Sequence, residues 1–213
     1  MPSGGRNFAF QRARTKGGGC CREAHEAVKK IVVFNGSPRS DGNTITLLNL
    51  VAKGARDAGA DVKFYTLFKM KFMACQSCFS CRMHPDCAIH DEVSAALDEV
   101  KEADAVVIGS PIYMMQMTGP VKNLYDRLYP LTDMDYKPRF GTKKLVTVYT
   151  QGFDDPALFE SYFEYTAAVF PWFGFELVDN IVCAGAYDPE TAEHDAPLKI
   201  RAYEAGKALA IGR

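Results

Sequence analysis

Four of the chain's seven cysteines fall in one thirteen-residue run, CQSCFSCRMHPDC, from Cys75 to Cys87. Cys75, Cys78, Cys81 and Cys87 are spaced C-x2-C-x2-C-x5-C. Thiols this close can pair as disulfides, hold zinc, hold an iron–sulfur cluster, or stay free in a flap. Disulfide frameworks suit short secreted chains of oxidising compartments, and 213 residues is long for that class. Structural zinc sites usually pair two C-x2-C knuckles across a longer connection. Three cysteines at x2-x2 spacing wrap one cubane-sized object more naturally, as in ferredoxin runs. The fourth departs from the bacterial ferredoxin rule: five residues intervene, and no proline follows it. His84, inside the run, reads as a loop residue. Cys183 reads as a small buried hydrophobe.

A second set of chemistry-bearing residues lies in NGSPRSDGNT, residues 35–44. Ser37, Ser40, Asn43 and Thr44 bring hydroxyl and amide groups, and Arg39 a positive charge. The segment runs straight into a helical pattern, and the free N–H groups of a helix start attract anions. The loop suits a phosphate, although it has neither the lysine of a nucleotide triphosphatase loop nor a G-x-G-x-x-G pattern. In GSPIYMMQMTGP, residues 109–120, Pro111, Ile112, Tyr113 and Met114 form an apolar and aromatic stretch, with Tyr113 able to stack on a flat ring. In YTQGFDD, residues 149–155, the backbone of Thr150, Gln151 and Gly152 can serve the polar edge of such a ring. Each segment also has an ordinary reading, as a capped turn, a packed helix start or a glycine-containing loop. Taken together, a phosphate cradle, an aromatic wall and a polar edge describe FMN.

The elements that must position these loops alternate from Lys30 onward. IVVF (31–34), VKFYTL (62–67), AVVIG (105–109), LVTVYT (145–150) and a segment of 175–185 read as five strands. IVVF in particular is the short apolar run of a strand buried on both faces. Between them lie helical patterns capped by Thr44, by Asp91, by Gly119-Pro120 and by Asp155-Pro156, the last ending at Pro171, with a final helix over 196–210. Strict β-α alternation predicts an α/β fold, a three-layer sandwich with a parallel sheet covered on both faces. Five strands fit the flavodoxin-like order 2-1-3-4-5, which places ligands beyond the strands' carboxyl ends. In that order the loops after strands 1, 3 and 4 share one rim.

Composition bounds the rest. The chain is 47% hydrophobic and 24% charged, as expected of one globular domain. Its net charge of −1 offers no basic footprint for nucleic acid. No apolar run reaches the roughly 20 residues of a membrane span, and the N-terminus lacks the uninterrupted apolar core of a secretory signal, since Gln11, Arg12 and Arg14 closely follow Phe8–Phe10. A cytoplasmic protein without membrane contact is the expectation. Residues 1–29, which include Cys20 and Cys21, are rich in Gly and Arg and read as a disordered or non-native extension. Residues 30–213 read as the functional domain, with a Cys-rich insertion loop at 70–90.

GSPRSDGNT, the cysteine run followed by HDE, ADAVVIGSPIY and TGPVKNLYDR together resemble the NADPH-dependent FMN reductase and iron–sulfur flavoprotein family of flavodoxin-like proteins. The resemblance covers roughly residues 30–185. It implies FMN held by Ser37, Arg39, Ser40, Asn43 and Thr44 at the phosphate, and by Pro111–Met114 and Thr150–Gly152 around the ring. It implies a [4Fe–4S] cluster on Cys75, Cys78, Cys81 and Cys87, and a homodimer or dimer of dimers. The expected function is a redox flavoprotein passing electrons between a two-electron donor, such as NAD(P)H, and a one-electron partner of the ferredoxin type. A cluster-free NAD(P)H-dependent FMN or quinone reductase is the alternative, and a non-enzymatic thiol redox sensor on the same fold is a third. No general acid or base stands out.

Overall fold

A computed structural model of the chain describes residues 27–212, so the expectation for the N-terminal extension, with Cys20 and Cys21, lies almost wholly outside the described residues. Among the described residues six strands occur: β1 Lys30–Asn35, β2 Asp61–Thr66, β3 Ala105–Tyr113, β4 Gln116–Met117, β5 Lys143–Thr150 and β6 Phe175–Cys183. Seven helices accompany them: α1 Asn43–Asp57, α2 Ser80–Met83, α3 Glu92–Glu102, α4 Gly119–Asp126, α5 Glu160–Ala167, α6 Thr191–His194 and α7 Ala196–Ala210.

The main sheet runs β2-β1-β3-β5-β6, all neighbours parallel. The flavodoxin-like parallel sheet is therefore present, but it has six strands where five were expected. The extra strand, β4, is two residues long and pairs antiparallel with the end of β3. It arises because β3 runs past the expected Gly109 and turns back on itself at Met114-Met115. Both turn residues take positive φ, 47° and 69°, which is the backbone of a type I′ hairpin turn.

Side-chain alternation along the strands divides the core. Val32, Phe34, Val106 and Ile108 face one side and pack on α3 and α4 through Val93, Leu97, Val121 and Leu124. Ile31, Val33, Ala105 and Val107 face the other and pack on α1 and α7 through Leu47, Val51, Leu198 and Ala202. Continuous apolar strands follow from burial on both faces. Helices α1 and α7 touch at the backbone. A Cβ on Gly54 would lie 2.0 Å from the Tyr203 carbonyl oxygen, and one on Gly206 only 1.9 Å from that of Val51. Among the described residues no helix is long and apolar enough to cross a membrane.

Two helix starts differ from expectation. Thr44 does not cap α1; Gly42 holds the cap position and no side chain caps the helix. Asp155-Pro156 does not open α5, which begins at Glu160 after a turn, and Pro171 falls in a separate 3-10 turn, Phe170–Phe173. Asp91 does cap α3, in a reciprocal box with Ser94.

Candidate functional site: a cleft at the strand ends and a cysteine loop

Strand β1 stops opposite Gly109 of β3, and β3 continues two residues further beside β5, to Pro111, before its last two residues pair with β4. This step in the sheet opens a cleft of about 450 Å³ at the carboxyl ends, within the usual range for small-molecule sites. Ser37, Arg39, Asn43, Thr44, Pro111, Ile112, Tyr113, Met114, Thr150, Gln151 and Gly152 all line it. Ser40, from the same expected set, does not; it is exposed beside the cleft.

The loop from β1 to α1 is tied down from within. Asn35 Oδ1 accepts the Ser37 N–H at 2.9 Å, and Ser37 Oγ accepts the Arg39 N–H at 3.2 Å. Gly36 N–H donates to the Gly109 carbonyl at 2.8 Å, and Thr118 Oγ1 donates to the Gly36 carbonyl at 2.8 Å. The result aims the start of α1 into the cleft. Its first turn has no side-chain cap and no acidic residue, so its N–H groups are left for an anion. Arg39 adds a cation on the cleft wall; Asp41 also lines it.

The side chains of Asn43 and Thr44 are already engaged. Asn43 Nδ2 donates to the Asp188 carbonyl at 2.7 Å and its Oδ1 accepts the Ala192 N–H at 2.7 Å. Thr44 and Thr150 share a buried hydroxyl–hydroxyl bond of 2.8 Å. These two residues brace the cleft and leave their backbone N–H groups toward it. Gln151 is similar: its N–H donates to the Cys183 carbonyl at 2.9 Å, and its carbonyl accepts the Ala186 N–H at 2.8 Å. Its side-chain Oε1 is buried without a partner.

The loop after β6 was not singled out from sequence, yet Ala186 and Tyr187 line the cleft. The Tyr187 ring lies on Gly152, where a Cβ would sit 2.8 Å from its Cζ. The only local signal was a tyrosine just past a glycine at a strand end, which is too common to be informative. An aromatic cluster of Tyr149, Phe159 and Phe163 supports the cleft floor. Tyr149 stacks on Phe163 at 4.2 Å, and burial pushes its hydroxyl up to about 12. Among the described residues the lining contains no His, Cys, Lys or Glu. An uncapped helix start beside Arg39, an apolar wall at 111–114 and an orphaned acceptor at Gln151 together fit FMN.

The cysteine loop is organised by two arginines and one carboxylate. Arg127, at the end of α4, is 1% exposed. It pairs with both carboxylate oxygens of Asp91 at 2.8 and 3.0 Å, and donates to the carbonyls of Met73 at 2.7 Å and Ile89 at 3.2 Å. Burial alone would push the Asp91 carboxyl up. Hydrogen bonds from Arg127, from the Met73 N–H and from the Ser94 N–H outweigh that and hold it well below the usual carboxylate range. Arg139 donates to the carbonyls of Cys81, Arg82 and His84 at 2.9, 2.9 and 2.8 Å.

All four cysteines of the run are free thiols. Cys75 and Cys78 are exposed, and Cys81 and Cys87 are half-buried. Burial, then the neighbouring Cys87, Cys75 and Cys78, push the Cys81 thiol up. Among the described residues no group of three or more His, Cys, Asp or Glu side chains is placed to hold a metal ion. In this conformation the loop does not form a cluster's ligand set.

Sheet, step and cleft define a flavodoxin-like α/β fold with a cleft at the strand ends. The sequence pattern of the NADPH-dependent FMN reductase family matches residues 29–154, more than half of the chain, and the protein belongs to that family. An iron–sulfur flavoprotein of Methanocaldococcus jannaschii is 33% identical over 102 residues, covering 48% of this chain and 53% of the relative. An iron–sulfur flavoprotein of Archaeoglobus fulgidus is 37% identical over 98 residues, covering 46% and 48%. These matches span about half the length of those relatives. Among solved structures, an NAD(P)H:quinone oxidoreductase from Methanothermobacter marburgensis superposes with TM-score 0.69 at 16% identity, over 86% of this chain and all of that one. An archaeal flavodoxin superposes with TM-score 0.53 at 17% identity, over 87% and 98%. At such identities the likeness is one of fold.

Proposed function

We propose that the protein is an FMN-dependent oxidoreductase of the iron–sulfur flavoprotein kind. The observation that carries the reading is the cleft where the uncapped start of α1, Arg39 and the 111–114 wall meet. In this reading the backbone N–H groups of the first turn of α1, with Ser37 and Arg39, hold the FMN phosphate. Pro111–Met114 cover the ring, and Thr150–Gly152 border its polar edge. FMN, when bound, accepts electrons in pairs and releases them in pairs or singly. The chain's own part is to orient the ring, exclude water with Ile112, Phe159 and Tyr187, and leave one edge open to a donor such as NAD(P)H or a ferredoxin-type protein.

Cys75, Cys78, Cys81 and Cys87 would hold a [4Fe–4S] cluster supplying single-electron exchange. The spacing of the four thiols and the names of the curated relatives support this part. Because the thiols do not converge here, loading requires the loop to rearrange. A cluster-free NAD(P)H-dependent FMN or quinone reductase is the second reading, supported by the name of the family whose pattern matches. Anaerobic purification with flavin, iron and sulfide quantitation tests both. One FMN per chain with iron and sulfide supports the first. FMN without iron, together with NADPH oxidation by a quinone, supports the second. Absence of flavin binding refutes both.

A further inference from the structure

The hydrogen bonds of the cysteine loop are unevenly distributed. Residues 81–91 are tied to other elements at several points, although 83–86, 88 and 90 are exposed. Arg139 grips three carbonyls at 81, 82 and 84, and Arg82 donates to the Met134 carbonyl at 2.7 Å. Asp86 pairs with Lys101 of α3 at 2.6 Å, and Arg127 holds Ile89 and Asp91. The Arg82 guanidinium also lies 4.2 Å from the Tyr136 ring centre. Residues 73–79 are all exposed. Among the described residues no hydrogen bond joins 74–79 to another element of the fold; the bonds there run to Met73, Cys75 and Arg82 of the loop itself. Ser77 and Phe79 take positive φ, 54° and 61°, a backbone region that side chains other than glycine rarely adopt. A segment with few contacts and stored strain is one that moves readily.

We propose that the loop is built in two halves. Arg139 and Arg127 hold residues 81–91 as a fixed frame that presents Cys81 and Cys87. Residues 74–79 move as a unit to bring Cys75 and Cys78 to that frame. Arg139 is then a positioning residue for Cys81. Its four donor contacts, including one to the Pro130 carbonyl at 3.4 Å, reach along the loop in a way that a lysine ammonium cannot. The step in which the moving half completes a ligand set rests on the cluster reading; the division of the loop does not.

The test is timed alkylation of the reduced, cluster-free protein with iodoacetamide, read at each cysteine by peptide mass spectrometry. Cys183 is 2% exposed and serves as an internal report on global opening. In the wild type, Cys75 and Cys78 are expected to react about tenfold faster than Cys81 and Cys87. Arg139→Met should speed Cys81 by about tenfold while Cys75, Cys78 and Cys183 change by less than about twofold; Arg139→Lys should fall between. Equal wild-type rates at Cys75 and Cys81, or an unchanged Cys81 rate in Arg139→Met, overturns the division. If Cys183 also speeds in the variant, wild-type amide exchange decides. Fast exchange at 74–79 with protection over 81–91 supports the proposal, and the same rate across both halves refutes it. In a parallel arm the protein is reconstituted anaerobically with iron and sulfide. The cluster reading predicts iron uptake by the wild type and less by Arg139→Met, with FMN binding equal in both. Wild-type protein that takes up no iron sinks the cluster reading and leaves the alkylation result to judge the loop.

Discussion

The hydroxyls of Thr44 and Thr150 meet at 2.8 Å although 106 residues separate them in the chain. One stands in the first turn of α1, the other at the end of β5. Their bond joins the end of the cleft that would hold the phosphate to the end that would border the ring, and it is buried. Removing one partner leaves a buried hydroxyl unpaired, at a cost of about 1–3 kcal/mol. Thr150→Val should therefore lower the unfolding free energy read from urea denaturation by that amount, and weaken FMN binding in the same protein. Thr44→Val with Thr150→Val together should cost less than the sum of the two single changes, because neither hydroxyl is then orphaned.

Arg127 and Asp91 form the other decisive pair. Breaking a buried ion pair from one side costs about 3–5 kcal/mol, since the remaining charge stays buried. Arg127→Met is expected to destabilise the chain in that range and to free both ends of the cysteine loop. Equilibrium denaturation gives the first, and faster alkylation of Cys81 and Cys87 gives the second.

The same pair sets a pH dependence. The Asp91 carboxyl is held below its unfolded value, so the folded state releases its proton more readily than the unfolded chain. Its contribution is complete above the ordinary carboxylate range and fades as pH falls through and below it. Wild-type Tm should drop between about pH 5 and pH 2 more steeply than that of Asp91→Asn, which has lower stability at pH 7. Parallel slopes for the two proteins would refute this.

Gly54 and Gly206 bring α1 and α7 into backbone contact. An alanine at either site forces the helices apart, which costs about 1–3 kcal/mol or more. For a chain of this size that is a fall in Tm of about 2–4 °C per kcal/mol. FMN affinity should hold, because neither glycine lines the cleft.

The alternation of apolar strands with helical patterns was legible, and so was the rim. Eleven of the twelve expected FMN-site residues do line one cleft. Legibility ended where partners are distant in sequence. Asn43 looked like a phosphate ligand because its type suits one, but its amide is claimed by the loop at 186–192. Arg127 was not singled out from sequence, and nothing local shows that it will be buried against Asp91. Strand β4 escaped notice because a Met-Met turn is a poor hairpin signal. The cysteine spacing showed that a shared ligand was feasible; it carried no information on whether the loop rests open or closed.

The central claim is that the cleft at the strand ends binds FMN through its phosphate. Fluorescence titration of flavin-free protein with FMN and with riboflavin, in the wild type and in Arg39→Ala, tests it directly. The expected result is one FMN per chain, riboflavin bound more weakly, and Arg39→Ala weakening FMN by about tenfold or more with riboflavin changed by less than about twofold. Equal affinity for FMN and riboflavin in the wild type, or no flavin bound at all, would contradict it.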